Sequence, residues 1–174
     1  TDMEFKNITG YFGQEVLTSV SDSILMKIFN TPSAGNLTFT NPKLTFTIDN
    51  SFGIPIDINF SNFVSVNTVT GQTTTISGFS PVLSVNTPTA FGQSVSTSKV
   101  FNTSNTTNLP AIIDAVPKYL QYSISATSNP AGNVLPLNFI ESTSKMIVRA
   151  ELELPLEGYA SGIAASDTLA FSYD

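Results

Sequence analysis

The stretch Lys43-Leu44-Thr45-Phe46-Thr47-Ile48-Asp49 decides the fold class of this chain of 174 residues. Leu44, Phe46 and Ile48 alternate with polar residues, so an extended strand places all three apolar side chains on one face. The same alternation recurs at 54–61 and 146–156, and in shorter runs at 24–29, 37–39, 73–76, 81–85, 95–101 and 122–126. Strands with one apolar and one wet face are typical of antiparallel sheets packed face to face. The sequence therefore predicts an all-β, two-layer antiparallel sandwich.

One segment departs from this alternation. Its apolar residues follow helical spacing, at Leu109, Ile112, Ile113, Val116 and Leu120. Asn108 is suited to the N-cap, Pro110 is tolerated in a first turn, and Pro117 ends or kinks a helix. We expect one short helix over 109–116, plugging one end of the sandwich.

Turn residues divide the remaining chain. Asp49 to Gly53 lies between two alternating runs, which predicts a hairpin loop with Gly53 at positive φ. Pro55, Pro136 and Pro155 lie in or beside strand patterns, which favours edge or bulged strands there. Residues 1–30 have an interrupted pattern and are interpreted as an N-terminal arm or extra strands. Residues 31–174 then form the sandwich, within a single compact domain overall.

The composition excludes several kinds of chemistry. The chain has no His, Cys or Trp, so it has no His-dependent catalytic triad, no disulfide and no zinc or iron–sulfur site of the usual kinds. The net charge is −6 with seven Lys and Arg, which argues against nucleic-acid binding. No apolar run approaches the roughly 18 residues of a membrane span.

The chain begins at Thr1 without an initiator Met or a signal peptide. We interpret it as a mature or excised piece of a longer precursor, with a lipid anchor upstream as one form of attachment. This interpretation implies an exported protein at the cell surface or in the periplasm.

Three polar residues form a candidate calcium site. Asp49 and Asp57 flank the predicted hairpin, and Asn50 lies between them. Carboxylate and amide oxygens are the ligands that calcium takes in proteins. The alternative is an ordinary turn rich in Asp and Asn. No other cofactor is expected.

A pair of carboxylates supplies a catalytic alternative. Glu151 and Glu153 lie on one strand face, about 7 Å apart along the strand, a separation within the range of glycosidases. The alternative is a solvated face whose charges protect a sheet edge. Because catalytic carboxylates normally come from different strands facing an aromatic-lined cleft, we favour the solvated face.

Four aromatic residues near turns or segment ends are candidate ligand-binding residues: Tyr11, Phe91, Tyr119 and Tyr159. Exposed Tyr and Phe side chains stack on sugar rings or anchor protein partners. The alternative is that they cap the ends of the sandwich.

Residues 41–66 resemble the type-2 late-embryogenesis-abundant (water-stress and hypersensitive-response) domain. Asn50, Pro55 and Ile56 occupy the matching positions, whereas Ser51 replaces the usual Pro and an Asn-Pro pair occurs later, at Asn129-Pro130. The resemblance implies an immunoglobulin-like sandwich. The Ser-, Thr- and Asn-rich, Cys-free style also resembles exported proteins of Bacteroides-type bacteria, many of them lipoprotein ectodomains. Neither resemblance implies enzymatic activity.

These observations favour a non-catalytic, extracytoplasmic module of the cell envelope, of structural or binding type, with an unknown protein or glycan as partner. One alternative is a carbohydrate-binding module or adhesin that uses exposed Tyr and Phe, with calcium as an aid. A second is a carboxylate-only glycosidase. A third is a stress-protective protein like the domain it resembles, which would protect a client enzyme during drying.

Overall fold

In a computed structural model, the structure describes residues 5–30, 39–155 and 163–170. These residues form eleven strands, one 3-10 helix at Lys27–Asn30 and one α-helix, α1, at Leu109–Asp114. The strands are β1 (Asn7–Gly10), β2 (Val16–Leu25), β3 (Lys43–Asn50), β4 (Ile56–Val66), β5 (Thr73–Thr75), β6 (Val82–Val85), β7 (Val95–Phe101), β8 (Tyr119–Ser128), β9 (Asn138–Glu141), β10 (Met146–Leu154) and β11 (Ile163–Ala170).

Two antiparallel sheets form the body of the molecule. Sheet I has the strand order β11-β10-β3-β7, and sheet II has the order β2-β8-β4-β5, with β6 also paired to β4. A separate two-stranded ribbon joins β1 and β9. This architecture, with one short helix, confirms the predicted all-β, two-layer antiparallel sandwich.

The core lies between the two sheets and follows the predicted alternation. β3 buries every second residue, and Leu44, Phe46 and Ile48 are fully buried. The ring of Phe46 meets Phe60 and Tyr122 of sheet II at centroid distances of 5.2 and 5.4 Å. Such edge and tilted contacts add to the free energy gained by burying the rings. Aromatic side chains therefore join the two sheets.

The helix is shorter than the predicted 109–116. It ends at Asp114, and Val116 adopts a φ of 52° immediately before the buried Pro117. Asn108 does not cap the helix through its side chain. Its amide instead donates to Thr75 O and accepts from Ser77 N–H, at 2.7 and 3.1 Å. The side chain predicted to cap the helix thus links the preceding loop to the edge of sheet II.

The predicted hairpin at Asp49–Gly53 is wrong. β3 pairs with β10 and β7, whereas β4 pairs with β8, β5 and β6, so the connection crosses from one sheet to the other. Gly53 does not have a positive φ. Its lack of a side chain is needed because a Cβ there would lie 2.3 Å from the ring of Phe139. Close packing, and not turn geometry, requires glycine at this position.

Three further expectations need correction or refinement. The strand expected at 24–29 is the end of β2 followed by the 3-10 helix. The expectation that Pro55 and Pro155 mark edge or bulged strands is wrong, since they lie just outside β4 and β10, which are internal strands with no register shift beside either proline. Residues 7–10 and 16–25 form strands, and β2 is the outer strand of sheet II.

The two lateral sides of the sandwich differ. On one side, here called the stitched side, side chains link β7 to the β5/β6 edge: Asn86 Nδ2 donates to Ser96 O at 2.8 Å, and Lys99 Nζ to Val82 O at 3.4 Å. The opposite side, here called the open side, has β2 and β11 as the outer strands of the two sheets.

Candidate functional site

Four connections gather at one end of the sandwich, which we call the ribbon end: 5–15, 50–56, 86–94 and 129–145. The strand register places them together. Asn50 at the end of β3 pairs with Val95 and Met146, and Ile56 at the start of β4 pairs with Val85 and Ser128. The β1–β9 ribbon belongs to this end because its strands lie in the first and last of these connections.

The ribbon end concentrates exposed apolar side chains. Of the eleven exposed large hydrophobic residues in the described part of the chain, seven lie there: Phe5, Ile8, Tyr11, Phe91, Val134, Leu135 and Leu137. Leu135 is 83% exposed. Single exposed apolar residues are normal, whereas a concentration of them in one region makes that region a candidate interaction surface.

The same end carries few charges, and they balance. Its four connections contain two Lys and two Glu, namely Lys6, Lys145, Glu15 and Glu141, whereas the whole chain has a net charge of −6. The Glu141 carboxylate accepts the Gly92 N–H at 2.6 Å, which ties the 86–94 connection to the ribbon. The ribbon end thus has exposed apolar side chains and no net charge, although the whole chain is acidic.

Asn50 holds two of the connections together from a fully buried position. Its Nδ2 donates to Phe52 O and Asn86 O, at 3.2 and 3.0 Å, and its Oδ1 accepts the Phe52 N–H at 2.9 Å. Buried amides with satisfied hydrogen bonds fix one arrangement of the chain around them. Asn50 therefore serves the loop framework through both of its polar atoms.

Two further buried asparagines fasten the remaining connections. Asn129 Nδ2 donates to Gly13 O at 2.7 Å, and the Asn129 N–H donates to Pro55 O at 2.8 Å. Asn138 Oδ1 accepts the Phe12 N–H at 3.5 Å. The loops that carry the exposed apolar residues are consequently tied to one another and to the strand ends.

Packing around Phe139 completes this framework. The backbones of Gly53 and Phe139 exchange two hydrogen bonds, at 2.9 and 3.1 Å, and the Phe139 ring lies over the space that a Cβ at Gly53 would fill. Phe91 also packs against the Phe139 ring, with the two ring centroids 4.7 Å apart and the ring planes at 61°. Phe91 is held by this contact while 45% of its surface stays exposed.

The structure places two of the four predicted ligand-binding aromatics at the ribbon end. Tyr11 directly follows β1 and is 41% exposed, and Phe91 packs on β9. Tyr119 lies at the start of β8, at the opposite end, where the Lys118 ammonium is 5.4 Å from its ring centroid. Tyr159 lies outside the described residues.

The structure does not bring the three predicted calcium ligands together. Asp49 lies on the outer face of sheet I, Asn50 is buried, and Asp57 lies on the outer face of sheet II between two buried isoleucines. The two carboxylates therefore face opposite sides of the sandwich. Within residues 5–30, 39–155 and 163–170, no group of three acidic side chains is arranged to hold a metal ion.

Asp49 instead belongs to a polar cluster on sheet I. Its carboxylate accepts hydrogen bonds from Ser96 Oγ and from the Arg149 guanidinium. The hydrogen bond from Ser96 lowers the pKa of Asp49 below its ordinary value of 3.8; burial opposes this, and Arg149 reinforces it. The cluster is an ion pair across neighbouring strands.

Glu151 and Glu153 share this outer face and come from the same strand, β10. Glu153 accepts a hydrogen bond from Lys43 Nζ at 2.6 Å, which raises the pKa of Lys43 above its ordinary value. Glu151 is exposed. Carboxylates two residues apart on one strand point in the same direction, so they do not flank a substrate from two sides as glycosidase carboxylates do.

Sequence reasoning missed the aliphatic part of the surface. Val134, Leu135 and Leu137 lie around Pro136 in a stretch bounded by turn residues, outside any alternating pattern. Apolar residues in a segment rich in turn residues could have indicated this surface. Such a segment lies at the surface of the protein and is not part of a strand, so its apolar side chains are expected to be exposed.

The protein is therefore a β-sandwich with exposed apolar side chains on the hydrogen-bonded loops of its ribbon end. No protein-family model, curated protein or solved structure matches the chain. None of the helices in the described ranges has the length and apolar character of a membrane span.

Proposed function

We propose that this protein is a non-catalytic binding module of the cell envelope, located outside the cytoplasm, and that its partner binds the ribbon end. The observation that carries the proposal is the concentration of exposed apolar side chains in four neighbouring connections. Apolar side chains anchor interfaces when they are surrounded by a surface of low charge. The extracytoplasmic location is supported only by the resemblance of the Ser-, Thr- and Asn-rich, Cys-free composition to that of exported proteins.

The hydrogen-bonded loops support this proposal because they lower the cost of binding. Loops that must order on association lose conformational entropy, and that loss subtracts from the affinity. Asn50, Asn129 and Asn138 already fix the connections of the ribbon end. The exposed residues are therefore presented on a preorganised support, as in sandwiches that bind through loops at one end.

A glycan is the second candidate partner, and the placement of Tyr11 and Phe91 favours it. Both are aromatic, both are more than a third exposed, and both belong to the ribbon end. Aromatic rings bind sugars through their faces. The aliphatic residues Val134, Leu135 and Leu137 favour a protein partner instead, because sugar rings give them no apolar partner of comparable size.

Thermal unfolding separates these two candidates. The melting temperature is measured with and without a panel of soluble polysaccharides. A ligand present at 100 times its Kd adds about 2.7 kcal/mol, which raises the melting temperature of a chain of this size by several degrees. A glycan partner predicts such a shift, which the double variant Tyr11→Ala, Phe91→Ala abolishes and Val69→Ser leaves unchanged. Val69 is 94% exposed and lies outside the ribbon end.

Site-specific photocrosslinking tests the protein partner. A photoreactive residue replaces Leu135 in one variant and Val69 in another, and both are expressed in the cells that make the protein. The proposal predicts a discrete adduct from position 135 that disappears when Leu137 is also changed to Ser. Equal labelling from both positions, together with no thermal shift from any polysaccharide, would contradict the proposed function.

A further inference from the structure

Within the part of the chain that the structure describes, the outer strand β2 of sheet II has an edge with little of the usual protection. It spans ten residues and pairs with β8 on one side. It contains neither Pro nor Lys, and Asp22 is its one charged residue. Long outer strands present unpaired N–H and C=O groups that accept a strand from another chain, and native proteins block such edges with charge, proline or covering segments.

Asp22 occupies an inward position on this edge. It is the register partner of Tyr122, which is buried, and the neighbouring inward residue Ile24 pairs with the buried Leu120. A carboxylate at a core-side position gains nothing from apolar packing and must find a polar partner. Charged residues that point inward from outer strands are one of the devices that prevent edge-to-edge pairing.

The Asp22 carboxylate finds its partner on the edge itself. Its Oδ1 accepts the Ser23 N–H at 2.7 Å. Backbone groups alternate between the two sides of an antiparallel strand, and the Met26 N–H donates toward β8, to Lys118 O. Because Ser23 lies three residues before Met26, its N–H points away from β8. Asp22 therefore occupies a donor that an added strand would need.

On the stitched side, asparagine residues form hydrogen bonds with the edge strands of both sheets. There Asn86 bonds to Ser96 O and Thr97 Oγ1 of β7, and Asn108 bonds to Thr75 O of β5. On the open side, β11 carries Asp167 at the register position opposite the buried Ala150. Both outer strands of the open side thus have an Asp at a register position whose partner is buried.

We propose that the outer edge of β2 is a surface for strand addition and that the strand it would accept is β2 of a second copy of this chain. Asp22 prevents this pairing. Antiparallel pairing about a two-fold axis gives each copy the same set of unpaired groups. Each β2 then faces the single charge of the other, so removing Asp22 both frees the Ser23 N–H and removes the repulsion. This surface is separate from the ribbon end and is independent of the proposed function.

Sedimentation velocity over a wide range of protein concentration tests the proposal. Asp22→Ala and Asp22→Val both remove the acceptor, and valine also suits a strand. For both variants, the sedimentation coefficient is expected to rise with protein concentration. At every concentration it is expected to exceed the sedimentation coefficient of wild type. Asp22→Asn keeps an acceptor oxygen but loses the charge, so it is expected to associate more than wild type and less than Asp22→Ala. Asp57→Ala removes the same charge from the internal strand β4 and is expected to follow wild type.

A second substitution identifies the surface. Ser23→Pro removes the outward N–H at a position where an outer strand tolerates proline. Combined with Asp22→Ala, it is expected to restore the sedimentation of wild type. The proposal is overturned if neither Asp22→Ala nor Asp22→Val associates more than wild type, if Asp57→Ala associates equally, or if the double variant still associates.

Discussion

The interior between the two sheets and the ribbon end use the same types of residue for different purposes. Phe46 is fully buried and meets the rings of Phe60, Phe63, Phe101 and Tyr122 within 6.0 Å. Leu135 at the ribbon end is 83% exposed. Apolar burial stabilises the interior, whereas the ribbon end leaves comparable side chains in water and keeps its shape by other means.

Those other means are polar. The interior relies on contacts between apolar side chains, and the ribbon end relies on buried amides such as Asn50 and on close backbone packing at Gly53. The comparison implies that the groups which stabilise the fold differ from the groups that we propose to bind a partner. Substitutions in the interior, in the framework and on the exposed surface should therefore have decreasing effects on the free energy of unfolding.

The largest effect is expected for Phe46→Ala. Truncating a buried Phe removes its transfer free energy and leaves a cavity, with a cost of about 3–5 kcal/mol. Urea unfolding measures this cost. Phe91→Ala is the matched control, because Phe91 is 45% exposed, and we expect it to cost less than about 1 kcal/mol. Equal costs for the two variants would remove the distinction between the interior and the ribbon end.

Asn50→Ala is expected to cost about 2–3 kcal/mol. It leaves the Phe52 N–H, Phe52 O and Asn86 O, whose hydrogen bonds to Asn50 are partly buried, without their side-chain partner. Amide hydrogen exchange should also accelerate in 50–56 and 86–94. Asn133→Ala, an exposed asparagine at the same end, should change neither quantity. A stable Asn50→Ala protein with unchanged exchange would show that the amide does not hold the loops.

Gly53→Ala is expected to cost about 1–3 kcal/mol, since its Cβ would overlap the Phe139 ring. Gly10→Ala is the control at the same end, because nothing lies within 4 Å of a Cβ there, and it should leave the free energy of unfolding nearly unchanged. Thermal unfolding of the two variants measures the difference. A Gly10→Ala variant as unstable as Gly53→Ala would indicate a general intolerance of side chains, not the contact with Phe139.

The smallest effect is expected for the surface pair of Asp49 and Arg149. The pKa of Asp49 is lowered in the folded protein, so its charged form stabilises the fold above the ordinary pKa of 3.8, and this contribution is lost as the pH falls through the lowered value. Asp49→Asn should cost less than about 1 kcal/mol at neutral pH and nothing in stronger acid. Urea unfolding against pH tests this, and a cost that persists in acid would contradict it.

Much of the fold could be predicted from local patterns. The run at 43–49 lies in β3, and most of the run at 146–156 lies in β10, because each of these strands has one buried face and therefore alternates. β9 was not predicted, since a four-residue strand in a peripheral ribbon needs no alternating core face, and β1 lies in the segment interpreted only as an arm or extra strands. The crossing of 50–56 between sheets depends on distant strands, which a local reading takes for a hairpin.

The candidate site could be predicted in part. Tyr11 and Phe91 were identified as exposed aromatics, but their common location follows from strand register across the whole chain. The sequence makes Asn50 a candidate calcium ligand, with an ordinary turn as the alternative, whereas the structure buries its amide in loop hydrogen bonds. A polar residue at a strand end can bind a metal ion or form hydrogen bonds that hold neighbouring loops. The burial of its side chain decides which of these roles it has.

The proposed function requires that the apolar side chains of the ribbon end are available to a partner and contribute little to the stability of the fold. The most direct test is urea unfolding of the triple variant Val134→Ser, Leu135→Ser, Leu137→Ser. The free energy of unfolding is predicted to stay within about 1 kcal/mol of wild type, because exposed side chains lose little on substitution. A loss of about 3 kcal/mol or more, as for a buried residue, would show that these side chains belong to the core and would contradict the account.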